Sequence, residues 1–582
     1  MTKDELKRRV YEAIERRQAE IVRLGEEIRR TPELGFKEVR TARLVEDTLG
    51  RLGLSPKAGL ALTGVRAEVT GKQGSGPTFA LLGELDALVV AGHPDAAAGT
   101  GAAHACGHNA QVAGLLGCAM GLLDAQAMDH LAGRVVFFAV PAEEYGDVEW
   151  RVSQRRAGKL EFLGGKPELL RLGHFDDVDL AMMIHATSRP EDGKAGVPAS
   201  NNGCIVKTVR YVGRAAHAGG SPHLGVNALY AAQIALAAIN AVRETFRDED
   251  TIRVHPIITH GGSQVNVIPG ETRLETYVRG RTVDAILDAN RKVDRALRAG
   301  ALALGATVEI ETLPGYMPMQ CDATMARYFR QNMADLVGEE HYRQIGHRTG
   351  STDMGDLSQV MPVLHPYIGG ARGNGHGADF RIVDDSLAYV MPAKARPVTD
   401  ASRRVLARGF SVLPPRGPGW FEVPSMSEAW RQVGSYGVAF VKGLRDRPPA
   451  TPAEAESVLA LVTATAVEPG PPEQILDGAI TRRRAEVGQG RFGAGTLTAT
   501  PARWAGAARR RYEFALEDYG HPRFPEAVFV LAGRGVLCAH PEVTTLVIDA
   551  HYSQRTVRGH RREPVEAEVG PFLDSLAFTP VH

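Results

Sequence analysis

The segment HACGHN, residues 104–109, places a thiol and two imidazoles within a few positions of one another. Cys106 and His108 are separated by one glycine, so an extended or turning backbone puts both side chains on the same side. Thiolate and neutral imidazole are the usual protein ligands of zinc-like ions. The spacing therefore indicates part of a metal site, although a structural loop with a buried cysteine has the same pattern.

A pair of adjacent carboxylates, Glu143 and Glu144, follows an apolar run in the segment PAEE. Two neighbouring carboxylates repel each other, so burying both requires a cation or a shared proton. A metal ion can bind one of them and leave the other to accept a proton from water. The alternative is a solvated pair at the end of a strand.

Two further histidines are candidate ligands: His185 follows the apolar run AMMI, and His376 lies in the glycine-rich segment GNGHGADF. Alone, His185 equally fits a core histidine, and His376 equally fits a turn residue. Together the candidates form a set of five with Glu143 beside them as a base, and five ligands suit two ions about 3.5–4 Å apart better than one tetrahedral ion. We refer to it as the five-ligand set: Cys106, His108, Glu144, His185 and His376.

These residues follow buried strands. Apolar runs at 78–87, 134–144 and 179–186 end in Glu84 and Asp86, in Glu143 and Glu144, and in His185. Continuous apolar runs predict a mostly parallel sheet covered by helices, and ligands gather at the carboxyl ends of such strands. Asp86 either orients a ligand histidine or caps its strand. Residues 3–30 are predicted as one amphipathic helix.

Residues 205–313 follow a different pattern, strand-helix-strand-strand-helix-strand, which predicts a ferredoxin-like domain inserted into an α/β domain made of 1–204 and 314–397. We call this insert the lid domain. It carries His217 in a turn, Asn266 in a loop bounded by glycine and proline, and Arg279 at the end of a strand. Each of the three is also compatible with an ordinary surface position. A linker at 398–408 and a separate α+β domain at 409–582 complete the prediction.

Composition excludes several classes of function. The formal net charge is +0, which gives no electrostatic basis for binding nucleic acid or an anionic membrane. No run of about 18 uncharged apolar residues predicts a membrane span, and no apolar segment near the N-terminus predicts a signal peptide. Five scattered cysteines argue against a disulfide framework and favour a reducing, cytoplasmic compartment.

The order and wording of the motifs resemble the co-catalytic metallopeptidase and aminoacylase family, above all its amidohydrolase branch of hippurate, auxin-conjugate and aminobenzoyl-glutamate hydrolases. The resemblance covers roughly residues 5–397. It is carried by TPELGFKE (31–38), GELDAL (83–88), HACGHN (104–109), PAEE (141–144), IHA (184–186), AAHAGGSPHLGVNAL (215–229), GGSQVNVIPG (261–270), STDMGDLS (351–358) and GHGADF (375–380).

The resemblance implies roles for the candidates. The five-ligand set would bind two divalent ions, zinc or manganese, and Glu143 would be the general base. His217 and Asn266 are similar to residues that contact the substrate oxyanion or carboxylate, in relatives from a neighbouring protomer. We place Arg279 near the substrate carboxylate and expect a homodimer built through the lid domain.

The expected activity is hydrolysis of the amide of an N-acyl amino acid, an aminobenzoyl-glutamate-like conjugate or a dipeptide. The alternatives are a metallo-carboxypeptidase or dipeptidase acting on peptides and, in another class, a non-catalytic metal-bearing binding protein. Residues 409–582 resemble faintly the small domains of bacterial lipoproteins, and we interpret them as an accessory module.

The chain departs from the family pattern in two places. The last ligand motif, usually GHT-x-E-F, is GHGADF here, so Gly377 lacks a hydroxyl and Asp379 is shorter than glutamate. A long spacer between ELDAL and HACGHN contains His93 and Asp95. We interpret both spacer residues as loop residues and not as ligands.

Overall fold

The computed structural model describes residues 2–395 without interruption and, beyond them, segments between residues 405 and 578. Contacts within the chain divide it into two compact units, Met1–Ala401 and Ser402–His582. Of the predicted linker, residues 405–407 form a short strand, and its other residues lie outside the described ones. No helix in the described part of the chain is long and apolar enough to cross a membrane.

The helices of the first unit are α1 Lys3–Arg16, α2 Gln18–Arg30, α3 Val39–Arg51, α4 His108–Asp124, α5 Val148–Arg156, α6 Gly165–Arg171, α7 Ala228–Val242, α8 Val283–Leu304, α9 Ala323–Val337, α10 Met354–Ser358 and α11 Met391–Ala395. Its strands are β1 Lys57–Leu60, β2 Gly64–Thr70, β3 Thr78–Glu84, β4 Leu88–Val89, β5 Ala102–Ala103, β6 Arg134–Val140, β7 Leu180–Met183, β8 His185–Ala186, β9 Ala195–Asn201, β10 Gly203–Val212, β11 Arg253–Val254, β12 Ile257–His260, β13 Glu271–Gly280, β14 Thr307–Tyr316, β15 Met319–Gln320, β16 Tyr342–Arg348, β17 Val363–Leu364, β18 Tyr367–Ile368, β19 Ala371–Arg372 and β20 Arg381–Ile382.

A six-stranded sheet in the order β1-β2-β6-β3-β7-β17 forms the centre of this unit. Strands β6, β3, β7 and β17 run parallel, whereas β1 and β2 pair antiparallel. Every residue of β3 is buried, as expected for a strand covered on both faces. The architecture is mixed α/β, as predicted.

The predicted single helix over 3–30 is wrong: the chain forms α1 and α2, which meet at Arg17. Arg17 departs from helical geometry, and its guanidinium pairs with Asp124 at the end of α4. Both short helices pack on α4, nearly all of whose residues are buried. The break therefore lets two helices cover one central helix, a tertiary requirement that periodicity does not show.

The lid domain is a second sheet, ordered β11-β13-β10-β14, with β12 also paired to β13. All its pairings are antiparallel, and α7 and α8 pack on one face. The strand-helix-strand-strand-helix-strand order is formed by β10, α7, β12, β13, α8 and β14. The first and last strands of the domain in chain order, β10 and β14, reach residues 203 and 316, slightly beyond the predicted range, because they remain paired from Cys204–Tyr316 to Val212–Thr307.

The second unit contains β21 Val405–Ala407, β22 Phe410–Val412, β23 Trp420–Glu422, β24 Tyr436–Lys442, β25 Ser457–Ala466, α12 Pro472–Glu486, β26 Phe492–Trp504, β27 Ala507–Asp518, β28 Phe529–Ala539, β29 Leu546–Val557 and β30 Ala577–Phe578. Seven of these strands form one antiparallel sheet, β23-β24-β25-β29-β28-β27-β26. Leu476 and Ile480 of α12 pack on it against Leu537 and Val547.

Candidate metal centre

The carboxyl ends of β6, β3 and β7 bring the predicted residues to one edge of the sheet. Asp86 follows β3, Glu143 and Glu144 follow β6, and His185 follows β7 in β8. Gly107 turns the chain into α4 with φ 96, and a side-chain carbon there would lie 2.8 Å from Ala186 Cβ. Only glycine fits this turn, which holds the HACGHN loop close to the strand carrying His185.

The structure groups the five-ligand set into two clusters that share Cys106. Cys106, His108 and His185 form the first cluster, and Cys106, Glu144 and His376 form the second. Within each cluster the candidate donor atoms lie within 4.8 Å of one another. A shared thiolate is one arrangement that can bridge two neighbouring ions.

The distances within the clusters fit metal ligation. Cys106 Sγ lies 3.4 Å from His185 Nε2, and His376 Nε2 lies 3.2 Å from Glu144 Oε1. Two donors that each lie about 2.0–2.3 Å from one zinc ion are about 2.8–3.8 Å apart at angles between a right angle and the tetrahedral angle. The residues therefore fit a pair of divalent ions.

The histidines and the acidic groups of the site shift one another's pKa values. Burial and Glu144 raise the pKa of the Cys106 thiol, but His185 and His108 outweigh them and lower it to about 6. Glu144 raises the pKa of His376 to about 11, and the same pairing lowers the pKa of Glu144 against the effect of burial. These partners keep Cys106 and Glu144 anionic at neutral pH, which is the form that binds metal.

Glu143 lies in a loop whose backbone is hydrogen-bonded by side chains at three successive residues, 142–144. Glu38 accepts a hydrogen bond from Ala142 N at 2.8 Å, Tyr316 donates to Glu143 O, and Arg151 donates to Glu144 O at 2.6 Å. Ala142 has φ 54, a left-handed conformation that these contacts maintain. Burial, followed by Glu84 and Glu144, raises the pKa of Glu143 well above its ordinary value. The carboxylate is thus a stronger base than a solvated glutamate.

Asp86 contacts both halves of the site. Its side chain lies 3.2 Å from His108 Nδ1 and accepts a hydrogen bond from Glu144 N at 2.8 Å. Its backbone carbonyl also lies 2.9 Å from His108 Nδ1. Of the two roles considered for Asp86, these contacts favour orientation of the histidine.

The lid residues His217, Asn266 and Arg279 belong to neither of the two clusters. His217 and Asn266 are exposed neighbours, joined by the hydrogen bond from Ala218 N to Asn266 O. His217 Nδ1 accepts hydrogen bonds from Gly219 N and Gly220 N, which leaves Nε2 as the donor of a neutral ring. Arg279 stacks over Tyr277, whose hydroxyl donates to Tyr145 O, immediately after Glu144.

The residues at which the chain departs from the family motifs, in the spacer before HACGHN and in GHGADF, contact neighbouring segments of the protein. His93 Nε2 lies 2.7 Å from Phe380 O, and Asp95 pairs with Arg29. Asp379 accepts a hydrogen bond from Asn374 N at 3.1 Å within the turn that carries His376. These contacts agree with the interpretation of His93 and Asp95 as loop residues.

Sequence reasoning missed a buried polar network beneath the site. Lys166 Nζ donates to Glu84 Oε1 at 2.6 Å and also pairs with Asp353, and all three side chains are almost completely buried. Glu84 and Asp353 lie inside the quoted motifs GELDAL and STDMGDLS. Lys166 lies in no motif, and no local pattern distinguishes it from a surface lysine.

Comparison with known proteins identifies the family. The model of peptidase family M20/M25/M40 matches residues 80–393. The chain belongs to this family. Membership confirms the resemblance to metallopeptidases and amidohydrolases, and this M20 chain is a hydrolase.

Curated relatives of the M20 chain cleave related bonds according to their names. Xaa-Arg dipeptidase of Mus musculus is 31% identical over 381 residues, which are 62% of this chain and 79% of the relative. IAA-amino acid hydrolase ILR1-like 4 of Arabidopsis thaliana is 25% identical, over 63% of this chain and 82% of the relative. Both alignments support a peptidase or amidohydrolase and leave the substrate open.

A solved structure shares the fold. A putative aminohydrolase from methicillin resistant Staphylococcus aureus aligns with a TM-score of 0.53 and 22% sequence identity. The alignment covers 67% of this chain and 97% of that protein.

Proposed function

We propose that this M20 chain is a dimetal amidohydrolase. Its substrate would be an N-acyl amino acid, an aminobenzoyl-glutamate-like conjugate or a dipeptide. The observation that carries the proposal is the sharing of Cys106 between two donor clusters, with Glu143 held beside them. Two zinc or manganese ions, when bound, would supply Lewis acidity, which activates water and polarises the scissile carbonyl.

The residues of the chain then have separate tasks. Glu143 accepts the proton of the attacking water and returns it to the leaving amine, and burial raises its pKa, which makes the carboxylate a better base. Asp86 holds the ring of His108 through Nδ1, which leaves Nε2 as the atom that would bind an ion. The clamped loop keeps Glu143 in place throughout, so little reorganisation is needed in the transition state.

The lid residues complete the proposed site. His217 Nε2–H and the Asn266 amide would donate to the developing oxyanion, and Arg279 would pair with the substrate carboxylate. In a single chain the hydrogen bonds of His217 are local, which supports its delivery from a second chain. Among the described residues β12 pairs on one side only, with β13, and its exposed Ile257 and Ile258 support a homodimer through the lid domain.

The second candidate is a dipeptidase or carboxypeptidase. Its support is the named relatives, Xaa-Arg dipeptidase at 31% identity and thermostable carboxypeptidase 2 of Saccharolobus solfataricus at 29%. A cytoplasmic location and an accessory role for the second unit stay predictions.

The test is a substrate panel on the metal-free chain with zinc or manganese added back. The panel contains N-acyl amino acids, aminobenzoyl-glutamate and Xaa-Arg dipeptides. We expect metal-dependent cleavage of the first two groups that a chelator abolishes. Cleavage of Xaa-Arg dipeptides alone would favour the second candidate, and a metal-loaded chain that cleaves nothing would favour a binding protein.

A further inference from the structure

A buried carboxylate outside the five-ligand set faces one of its histidines. Glu84, the last residue of β3, places Oε2 at 3.1 Å from His108 Nε2. Both side chains are 1% exposed, so water does not separate the two atoms. The ring of His108 also interacts with the side chain of Cys106.

The hydrogen bonds of His108 determine which atom holds its proton. Nδ1 lies 2.9 Å from the backbone carbonyl of Asp86, an oxygen that can only accept. Nδ1 must therefore carry the proton, and in a neutral ring Nε2 then presents a lone pair. A lone pair on nitrogen and a carboxylate oxygen repel each other at this distance unless a proton or a metal ion lies between them.

A metal ion bound by both atoms satisfies this arrangement. Two donors at right angles on one ion, each about 2.1 Å from it, lie about 3 Å apart. Glu84, His108 and Glu143 also form a third group whose donor atoms lie within 4.8 Å of one another. We propose that Glu84 is a sixth protein ligand, shared with His108 on one ion, an inference that rests on the proposed dimetal function.

The neighbours of Glu84 explain why its oxygens differ. Lys166 Nζ holds Oε1 at 2.6 Å, and Gln111 Nε2 donates to Oε2 at 2.6 Å. Lys166 is itself fixed by Asp353, which accepts from Lys166 N at 3.0 Å and pairs with its ammonium. One oxygen is thus occupied by the ammonium, and the other is directed at His108 with a lone pair to spare.

The experiment follows metal binding and does not require turnover. The metal-free full-length chain is titrated with Co²⁺ while its visible spectrum is recorded, and Zn²⁺ affinity is measured by competition with a chelator. Glu84→Gln is compared with Glu68→Gln, a matched change on an exposed strand residue that pairs with Arg66 and Arg134. We expect Glu84→Gln to lower the affinity for one of the two ions by tenfold or more and to change the Co²⁺ spectrum. Glu68→Gln should change neither the affinity nor the spectrum.

A second variant keeps the charge that Lys166 requires. Glu84→Asp retains the anion but is one methylene shorter, so it cannot reach Lys166 and the metal position together. We expect the same spectral change in Glu84→Asp. If Glu84→Gln does not fold, Glu84→Asp alone provides the test. Wild-type spectra in the folded variants would overturn the proposal and assign Glu84 to an ion pair with doubly protonated His108.

The proposed function is tested separately in the same titration. Cys106→Ala should remove the sulfur-to-cobalt absorption and lower the metal content. If Cys106→Ala binds Co²⁺ like wild type, the dimetal centre itself is wrong. If Cys106→Ala loses metal while both Glu84 variants behave like wild type, only the role of Glu84 fails.

Discussion

Cys106 is the residue on which both halves of the proposed metal centre depend. It belongs to both donor clusters, whereas His185 and His376 belong to one each. His108 and His185 offset the effect of burial on its pKa, so the thiolate is available at neutral pH. Loss of this one side chain should therefore affect both ions.

Removing a ligand should cost one ion for each of the two clusters to which that ligand belongs. We expect Cys106→Ala to lose both ions and His376→Ala to lose one, as measured by elemental analysis of the purified chain. Cys538→Ala, a buried thiol of β28, and His341→Ala, a half-buried histidine, are the matched controls. Full occupancy in both ligand variants would show that the ligand assignment is wrong.

Glu143 and Glu144 should separate catalysis from metal binding. Glu143→Gln keeps the shape of the side chain and the neighbouring ligand but removes the proton acceptor. We expect full metal content with turnover lower by roughly 10²–10⁴-fold, the usual effect of losing a general base. Glu144→Gln should instead lose metal as well as activity. Glu143→Gln activity within a few-fold of wild type would place the base elsewhere.

At the scale of elements, the site is built where three parallel strands end. Strands β6, β3 and β7 are adjacent, so the residues that follow them meet although they are far apart in the chain. The loop after β6 is fixed by side chains from three other segments, Glu38, Arg151 and Tyr316. Substitutions at these positions should act through the orientation of Glu143.

The proposed dimer depends on β12, which lies at an edge of the lid sheet in the part of the chain that the structure describes. Its two isoleucines, Ile257 and Ile258, are 51% and 40% exposed. We expect Ile257→Lys to shift the chain toward monomer in sedimentation experiments, because a charge on an edge strand opposes pairing with a second copy. Leu302→Lys, at an 84% exposed position of α8, is the control and should leave the association unchanged. A dimer that survives Ile257→Lys would exclude this edge as the interface.

At the scale of the whole molecule, the question is whether His217 acts in the site of its own chain or in the site of a second chain. A dimer that exchanges His217 has two sites, each made from two chains. Mixing His217→Ala chains with Glu143→Gln chains then gives mixed dimers with one intact site. We expect activity to return in the mixture although neither parent is active.

The mixture is informative only if mixed dimers form, which differently tagged chains and affinity capture can establish. Captured mixed dimers without activity would rule out the exchange of His217. His217 would then have a local role, at the turn where it accepts the Gly219 and Gly220 N–H groups.

The second unit should be dispensable for chemistry. All residues of the five-ligand set, Glu143 and the lid residues lie in Met1–Ala401, which has its own hydrophobic cores. We expect a chain ending at Ala401 to keep its metal content and its kcat on the substrate identified by the panel. A loss of turnover with metal content and folding intact would assign the second unit a part in catalysis.

The sequence by itself determined the family, the mixed α/β class and the candidate ligands. Those inferences rest on local patterns: Cys106 and His108 are two positions apart, Glu143 and Glu144 are adjacent, and each follows an apolar run or a glycine turn. Local spacing fixes which side chains share a side of the backbone, so chemistry confined to one segment can be inferred directly.

Only the tertiary structure decided the rest. Lys166 meets Glu84 and Asp353 from 82 and 187 positions away, and nothing in its own segment predicts a buried ammonium. The break at Arg17 likewise depends on Asp124, a distant partner. Such contacts form because burial removes water and forces each charge to find a counter-charge, wherever the fold places one. The proton on His108 and the direction of Glu84 follow from that packing and not from sequence spacing.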